Sequence, residues 1–340
     1  MFLSTLLMEE ILMRNKNVLV IGGTGFIGSH LTRRLVKMGA NVSVTTKYKS
    51  IIDNLRLVDV WNKLNVIEMD IRDNDSVSQL RELKPEIVFH LAAYNHVGHS
   101  FVHISECFDV NARGTANVME ACKGCSKFIY TSTSEIYGYQ ENVPFKEDFN
   151  PRPISPYSIG KYSGELYARM KYHQNKYPVI VLRPFNTFGP YQSEKAVIPE
   201  MIIDCLLGRE IKSTEGKQTR EFNFVENIVE GFILAANNDN AIGEIINIGS
   251  GEDISIKNLI LNIHMITNSR SKLSIGALKY RPTEIWKMYC DNSKAKQILK
   301  WKPNVSFEDG LKKTVNWYKR YIEQFYKKGS MLRDLSEVYE

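Results

Sequence analysis

From Asn17 onward the chain alternates short, wholly apolar runs with longer stretches in which apolar positions recur every three or four residues. NVLVIGG at 17–23 predicts a buried strand, and FIGSHLTRRLVKMG at 26–39 predicts a helix closed by Gly39. NVSVTT at 41–46, LNVIEMDI at 64–71, EIVFHLAA at 86–93, KFIYTSTS at 127–134 and PVIVLRPFN at 178–186 predict further strands. Helical patterns over 104–122 and 157–175 separate the later ones. Val- and Ile-rich runs divided by helices predict an α/β fold with a doubly wound parallel sheet covered on both faces.

After Asn186 the alternation weakens. AVIPEMIIDCLLG at 196–208 predicts a helix, TREFNFVENIVEGFILAAN at 219–237 a short strand feeding a helix, and EIINIGS at 244–250 another strand. SIKNLILNIHMIT at 255–267 and SFEDGLKKTVNWYKRYIEQFYKK at 306–328 are amphipathic helix patterns. Residues 186–335 are therefore expected to form mostly a smaller lobe, and residues 14–185 the sheet domain, with a return of the chain to that domain at 222–250.

Length and charge refine this picture. With 340 residues, 43% of them hydrophobic, the chain can bury a large core, and the net charge of +6 is spread along it. That balance suits anionic small molecules. No dense basic patch with interleaved aromatics points to nucleic acid. Five cysteines give no disulfide framework and point to a reducing compartment, so a cytoplasmic location is expected. Cys122 and Cys125 form a CxxC without a second ligand pair, and His96 and His99 have no third partner, so no metal is expected. The apolar start MFLSTLLMEEILMRNK is interrupted by Glu9 and Glu10, and is read as neither a signal peptide nor a membrane span.

Gly22, Gly25 and Gly28 punctuate the junction between the first strand and the first helix, in the run GGTGFIG. Gly22 permits a tight turn, Gly25 lets backbone approach a pyrophosphate, and Gly28 lets helix and strand pack closely, while the helix N-terminus donates N–H groups. This is the phosphate loop of a Rossmann dinucleotide-binding domain, and Thr24, Phe26 and Ile27 belong to it. An NAD enzyme places an acid about 20 residues further on, at the end of the second strand. Thr46 stands there, followed by Lys47 and Lys49, so NADP is favoured over NAD. Asp70 and Ile71 close the third strand, where adenine would lie, and Leu91, Ala92 and Ala93 offer small side chains to the nicotinamide half.

Tyr157 and Lys161 stand at i and i+4, on one face of a helix. A neighbouring ammonium favours a phenolate, and a phenolate can act as a base. The strand at 128–133 delivers Thr131, Thr133, Ser134 and Glu135 to the carboxyl edge of the sheet, where α/β enzymes bind ligand.

These motifs, with VNARGT around Asn111, SPYSIGK and RPFNTFGP, resemble the extended short-chain dehydrogenase/reductase family over nearly the whole chain. TSTSEIYG resembles its nucleotide-sugar 4,6-dehydratases of the GDP-mannose type and those acting on nucleotide-linked N-acetylglucosamine. VLRPFNTFGPYQSEKAVIPEMI and TREFNFVENIVEGF resemble most the latter group, which serves legionaminic acid synthesis. The resemblance implies a tightly bound NADP or NAD, contacted also by Asn111, Thr131 and Arg183. It implies catalysis by Thr133, Ser134, Glu135, Tyr157 and Lys161, and a nucleotide diphosphate sugar held by His96, Thr133, Asn186, Val197, Arg220 and Arg281. It further implies a homodimer, no nucleic acid and no membrane. The dTDP-glucose dehydratases usually carry Asp before the Glu, and Ser134 stands there instead. A 4-epimerase, a 4-dehydrogenase and a UDP-glucuronate-type decarboxylase stay open as alternatives.

Overall fold

The computed structural model describes residues 12–50, 54–280 and 284–325. Seven strands form one parallel sheet: β1 (Asn17–Ile21), β2 (Asn41–Thr46), β3 (Asn65–Glu68), β4 (Ile87–His90), β5 (Lys127–Thr131), β6 (Val179–Pro184) and, after a long excursion, Ile245–Ile248. Their order is β3-β2-β1-β4-β5-β6, then Ile245–Ile248 at the edge. The chain switches direction between β1 and β4, and a ligand crevice opens outside the carboxyl ends of strands at such a point.

The two faces of the sheet explain the apolar runs. Val18, Val20, Phe89, Ile180 and Leu182 point into one core. There they meet α1 (Phe26–Lys37) through Leu31 and Leu35, and the later helix Val225–Ala236 through Ile228 and Phe232. Leu19, Ile21, Val88, Phe128, Val179 and Val181 point into the opposite core. Successive residues serve opposite cores, so neither face can be polar.

On that second face, α2 (Ile104–Phe108) and α3 (Thr115–Ala121) are joined by a wider π-type turn at Asp109–Gly114. The sequence pattern predicts one uninterrupted helix here. Instead the Asn111 side chain is turned inward, accepting from Tyr94 N–H at 2.8 Å and donating to Tyr94 O at 3.1 Å. α4 (Pro156–Asn175) lies alongside; Ser155 caps it by accepting from Ser158 N–H, with Pro156 as its first residue.

The remaining elements follow, and two of them, the helix Val225–Ala236 and the strand Ile245–Ile248, return to the sheet. They are β7 (Thr187–Phe188), α5 (Val197–Leu207), β8 (Ile211–Ser213), β9 (Thr219–Glu221), β10 (Asn223–Phe224), α6 (Val225–Ala236), β11 (the edge strand Ile245–Ile248), β12 (Asp253–Ser255), α7 (Ile256–Thr267), β13 (Leu273–Ile275), β14 (Lys287–Met288) and α8 (Phe307–Phe325). The short strands pair as β7 with β10, β8 with β13, and β12-β9-β14. Among the described residues, no helix is long and apolar enough to cross a membrane.

Candidate active site

A cleft of about 600 Å³ runs along the carboxyl ends of β1 to β6. At one end the phosphate loop meets α1. Gly22 holds φ at +79°, and a side chain at Gly28 would run into the Gly22 carbonyl. The loop is therefore shaped so that bare backbone faces the cleft at the helix N-terminus. Thr24, Gly25, Phe26 and Ile27 line the same end.

Past the phosphate loop lie Thr46, Lys47, Asp70, Ile71 and Arg72. The Thr46 hydroxyl is already donated, within reach of Asn54 Oδ1 at 2.8 Å and Tyr48 O at 3.1 Å. Only the Lys47 side chain, of the two residues, is left as the expected contact for a 2′-phosphate. Asp70 is likewise engaged, since Arg72 forks onto both its oxygens at 2.6–3.0 Å, which holds the carboxyl below the usual carboxylate range. Arg72 also reaches Glu106 at 3.2 Å. Sequence reasoning missed Arg72, although its spacing two residues after Asp70 was visible.

The other end carries Leu91, Ala92, Ala93, Thr131, Thr133, Ser134, Glu135, Tyr157, Lys161 and Asn186 on one wall system. β5 ends at Thr131, and Thr133 then caps a short 3₁₀ turn by accepting from Glu135 N–H at 3.2 Å. The turn fixes Thr133 and Glu135 close together. The Tyr157 phenol faces the Thr133 side chain. Burial pushes the phenol up to about 12, the nearby Thr133 hydroxyl works against that, and the Glu135 charge adds to it. Lys161 is 2% exposed, its ammonium 4.6 Å from the Tyr130 ring centroid. Burial pulls it down to about 7, with Glu165 pulling the other way. Thr131 Oγ1 is buried with no hydrogen-bond partner, a polar group left for a ligand to satisfy. The Ser134 hydroxyl is 3.9 Å from Met288 Sδ.

Several residues expected to contact the ligands do not line this cleft. Arg183 is 1% exposed and does not face the cleft. Its guanidinium forks onto Glu165 at 2.6 and 3.1 Å and donates to the Tyr137 hydroxyl at 2.8 Å. Asn111 is fully buried and serves the Tyr94 backbone, so it shapes the wall without lining it. Asn95 and Val97 line the cleft, but the His96 ring between them caps the 97–100 turn and stacks on His99 at 3.8 Å. Val197 starts α5 outside the cleft, and Arg220 is paired with Glu284 at 2.8 Å. Arg281 lies outside the described residues. Cleft residues that the sequence reading did not single out include Phe185, Thr187 and Val110.

Two other candidates have simple structural explanations. The Cys122 and Cys125 thiols are buried and pushed up to about 12 and about 11, which leaves them unreactive. Among the described residues no group of three or more His, Cys, Asp or Glu is arranged to hold a metal ion.

Comparison with known proteins places this geometry. The family model described as GDP-mannose 4,6 dehydratase matches residues 19–314. The dTDP-D-glucose 4,6-dehydratase of Homo sapiens is 34% identical, over 89% of this chain and 90% of the relative. The UDP-N-acetyl-alpha-D-glucosaminuronate decarboxylase of Bacillus cytotoxicus is 34% identical, over 89% of this chain and 98% of its own. Among solved structures, the UDP-glucuronic acid 4-epimerase of Bacillus cereus, in complex with UDP-glucuronic acid and NAD, superposes with a TM-score of 0.82 at 31% identity, covering 89% of this chain and 99% of that one. A dinucleotide-type cleft with Tyr157 and Lys161 on one helix, and this match to dehydratase, decarboxylase and epimerase alike, make the chain a member of the GDP-mannose 4,6-dehydratase family of extended short-chain dehydrogenase/reductase nucleotide-sugar enzymes.

Proposed function

We propose that the protein is a nucleotide-sugar 4,6-dehydratase forming a 4-keto-6-deoxy nucleotide sugar. The observation that carries this reading is the Glu135 carboxylate, on the same cleft wall as Tyr157 and Thr133. A 4-epimerase needs no acid at that position, whereas a dehydratase must move the C5 proton.

The cleft suits a nicotinamide dinucleotide: bare backbone at the phosphate loop, Lys161 beside Tyr157, and the unpartnered Thr131 hydroxyl. Lys47 and Arg72 on the wall, with no carboxylate at the end of β2, favour NADP. When bound, the dinucleotide supplies the acceptor for the C4 hydride and the donor that returns it to C6. Tyr157 takes the C4 hydroxyl proton, with Thr133 holding the same oxygen. The C4 carbonyl acidifies C5–H, and Glu135 removes that proton. The C5–H electron pair becomes the C5–C6 double bond as the C6–O bond breaks. Ser134 steadies the leaving oxygen, the proton on Glu135 passes to it so that water departs, and C5 takes a proton from solvent as C6 gains its hydride.

Mass spectrometry of the purified protein with GDP-mannose, UDP- and GDP-N-acetylglucosamine, and UDP-glucuronate tests the reading. Loss of one water is expected with one of them. Loss of carbon dioxide or of two hydrogens instead would overturn it, as would a C4-inverted sugar of unchanged mass. Glu135→Gln is expected to lower product formation by about 10²–10⁴-fold while the protein still oxidises C4. Normal product from this variant removes Glu135 from the mechanism.

We also infer a homodimer through the outer faces of α2 and α4. Ile104, Ile159, Leu166 and Met170 are exposed there by 49, 40, 45 and 38%. Such a patch is costly to leave in water. The double variant Leu166→Asp/Met170→Asp is expected to run as a monomer in light scattering, and an unchanged mass would exclude this face.

A further inference from the structure

Glu221 ends β9 at 0% exposure, with its carboxylate surrounded by donors from three separate segments. One oxygen accepts from Cys290 N–H at 2.8 Å. The other accepts from Asn223 Nδ2 at 3.0 Å, Gly251 N–H at 3.3 Å and the Ser250 hydroxyl at 3.4 Å. A side chain at Gly249 would collide with that same oxygen. Burial raises the carboxyl above its usual range, and the bonds from Cys290, Asn223 and Gly251 oppose the rise. Every partner is an uncharged donor, so the ionised form is the one the surroundings complete.

The same residue touches the cleft through its main chain. Asn186 Nδ2 donates to Glu221 O at 3.2 Å, and Asn223 N–H donates to Asn186 O at 2.7 Å. Asn186 lines the cleft. β9 also carries Arg220 and pairs with β12 through Glu221 and Asp253. The carboxylate therefore ties the strand that grips Asn186 to the 249–251 turn and to the backbone at Cys290.

We propose that Glu221 is a positioning residue for the nucleotide diphosphate, acting through Asn186. Its carboxylate locks the 249–251 turn and Cys290 onto β9, and this fixes the depth at which Asn186 meets the ligand. An amide at this position keeps one accepting oxygen, but its NH₂, itself a donor, faces N–H groups that cannot accept from it. The turn then moves away, β9 relaxes, and Asn186 loses its fixed place. The inference rests on the reading of the cleft as a nucleotide-sugar site.

Titration calorimetry on the full chain tests it, with UDP, GDP and dTDP as probes and NAD+ and NADP+ as controls at the other end of the cleft. Glu221→Gln is expected to weaken the tightest of the three nucleotides by about tenfold, the effect of one lost hydrogen bond to a charged group. Dinucleotide affinity should stay within about twofold. Glu221→Asp retains the charge one methylene short, and is expected to fall between wild type and Glu221→Gln. It also supplies the measurement should the amide variant not fold. In the Asn186→Ala background, Glu221→Gln should add nothing further, because both changes remove one contact. Equal loss of nucleotide and dinucleotide, full additivity with Asn186→Ala, or unchanged nucleotide affinity each overturn the proposal. If the wild type itself binds none of the three, the nucleotide-sugar reading falls, and this inference with it. If the wild type binds and Glu221→Gln binds equally well, this inference alone is lost.

Discussion

Lys161→Met is expected to remove turnover while making the protein more stable. The ammonium is buried and held down to about 7, against an ordinary value of 10.5. Folding therefore works against a charge that the unfolded chain keeps. Between pH 7 and 10.5 the unfolded state binds the extra proton, so stability of the wild type rises with pH across this window. Below it the penalty is present in full. Methionine fills a similar volume without a charge, and forfeits the ammonium's contact with the Tyr130 ring and its attraction to Glu165. A net gain of roughly 1–3 kcal/mol is expected near neutral pH, from a pKa displacement worth about 5 kcal/mol at most. That is about 1–4 °C in Tm for a chain of this length. Thermal unfolding of both proteins from pH 6 to 10 reads it directly: the difference should be largest at the acid end and shrink as pH rises. A less stable variant at the acid end, or a difference that grows with pH, contradicts the burial argument.

Glu165→Ala is expected to cost about 3–5 kcal/mol, because it leaves the Arg183 guanidinium buried without its counter-ion. Glu165 and Arg183 are 0% and 1% exposed, and Glu165 also accepts from the Ser132 hydroxyl at 2.6 Å. Ser132 sits between the cleft residues Thr131 and Thr133, so the loss should reach the catalytic wall. The double variant Glu165→Leu/Arg183→Met removes both charges together. It is expected to recover much of the stability in denaturant titration, since neither charge is then stranded. If the single variant costs less than about 1 kcal/mol, the pair is not the internal brace the geometry describes.

The sheet was legible because its strands are buried on both sides. Runs such as VLVI at 18–21 and VIVL at 179–182 admit no solvent-facing residue, and their spacing by helices leaves one architecture. Tyr157 and Lys161 were legible because i and i+4 share a helical face, and the next position on that face, Glu165, could have been read in the same way. The pairing of Glu165 with Arg183 could not, since it depends on how α4 lies across β6. Thr46 was read correctly as a missing acid, but Asn54, which takes its hydroxyl, lies eight residues on, in an irregular turn. The π-type turn at 109–114 hides inside a regular helical pattern, because its cause is a side chain bonding a backbone across the cleft wall. The two- and three-residue strands of the lobe carry no periodicity at all.

β11 enters the sheet from residues 245–248, about sixty positions after β6, its only neighbour there among the described residues. A nascent chain that has emerged only through β6 presents an open parallel edge, with backbone N–H and C=O groups of residues 181–184 unpaired on that side. The segment that closes it is made only after α5 and α6. The dinucleotide half of the molecule is thus completed only after part of the second lobe has been made, and its synthesis must outlast its own exposed seam.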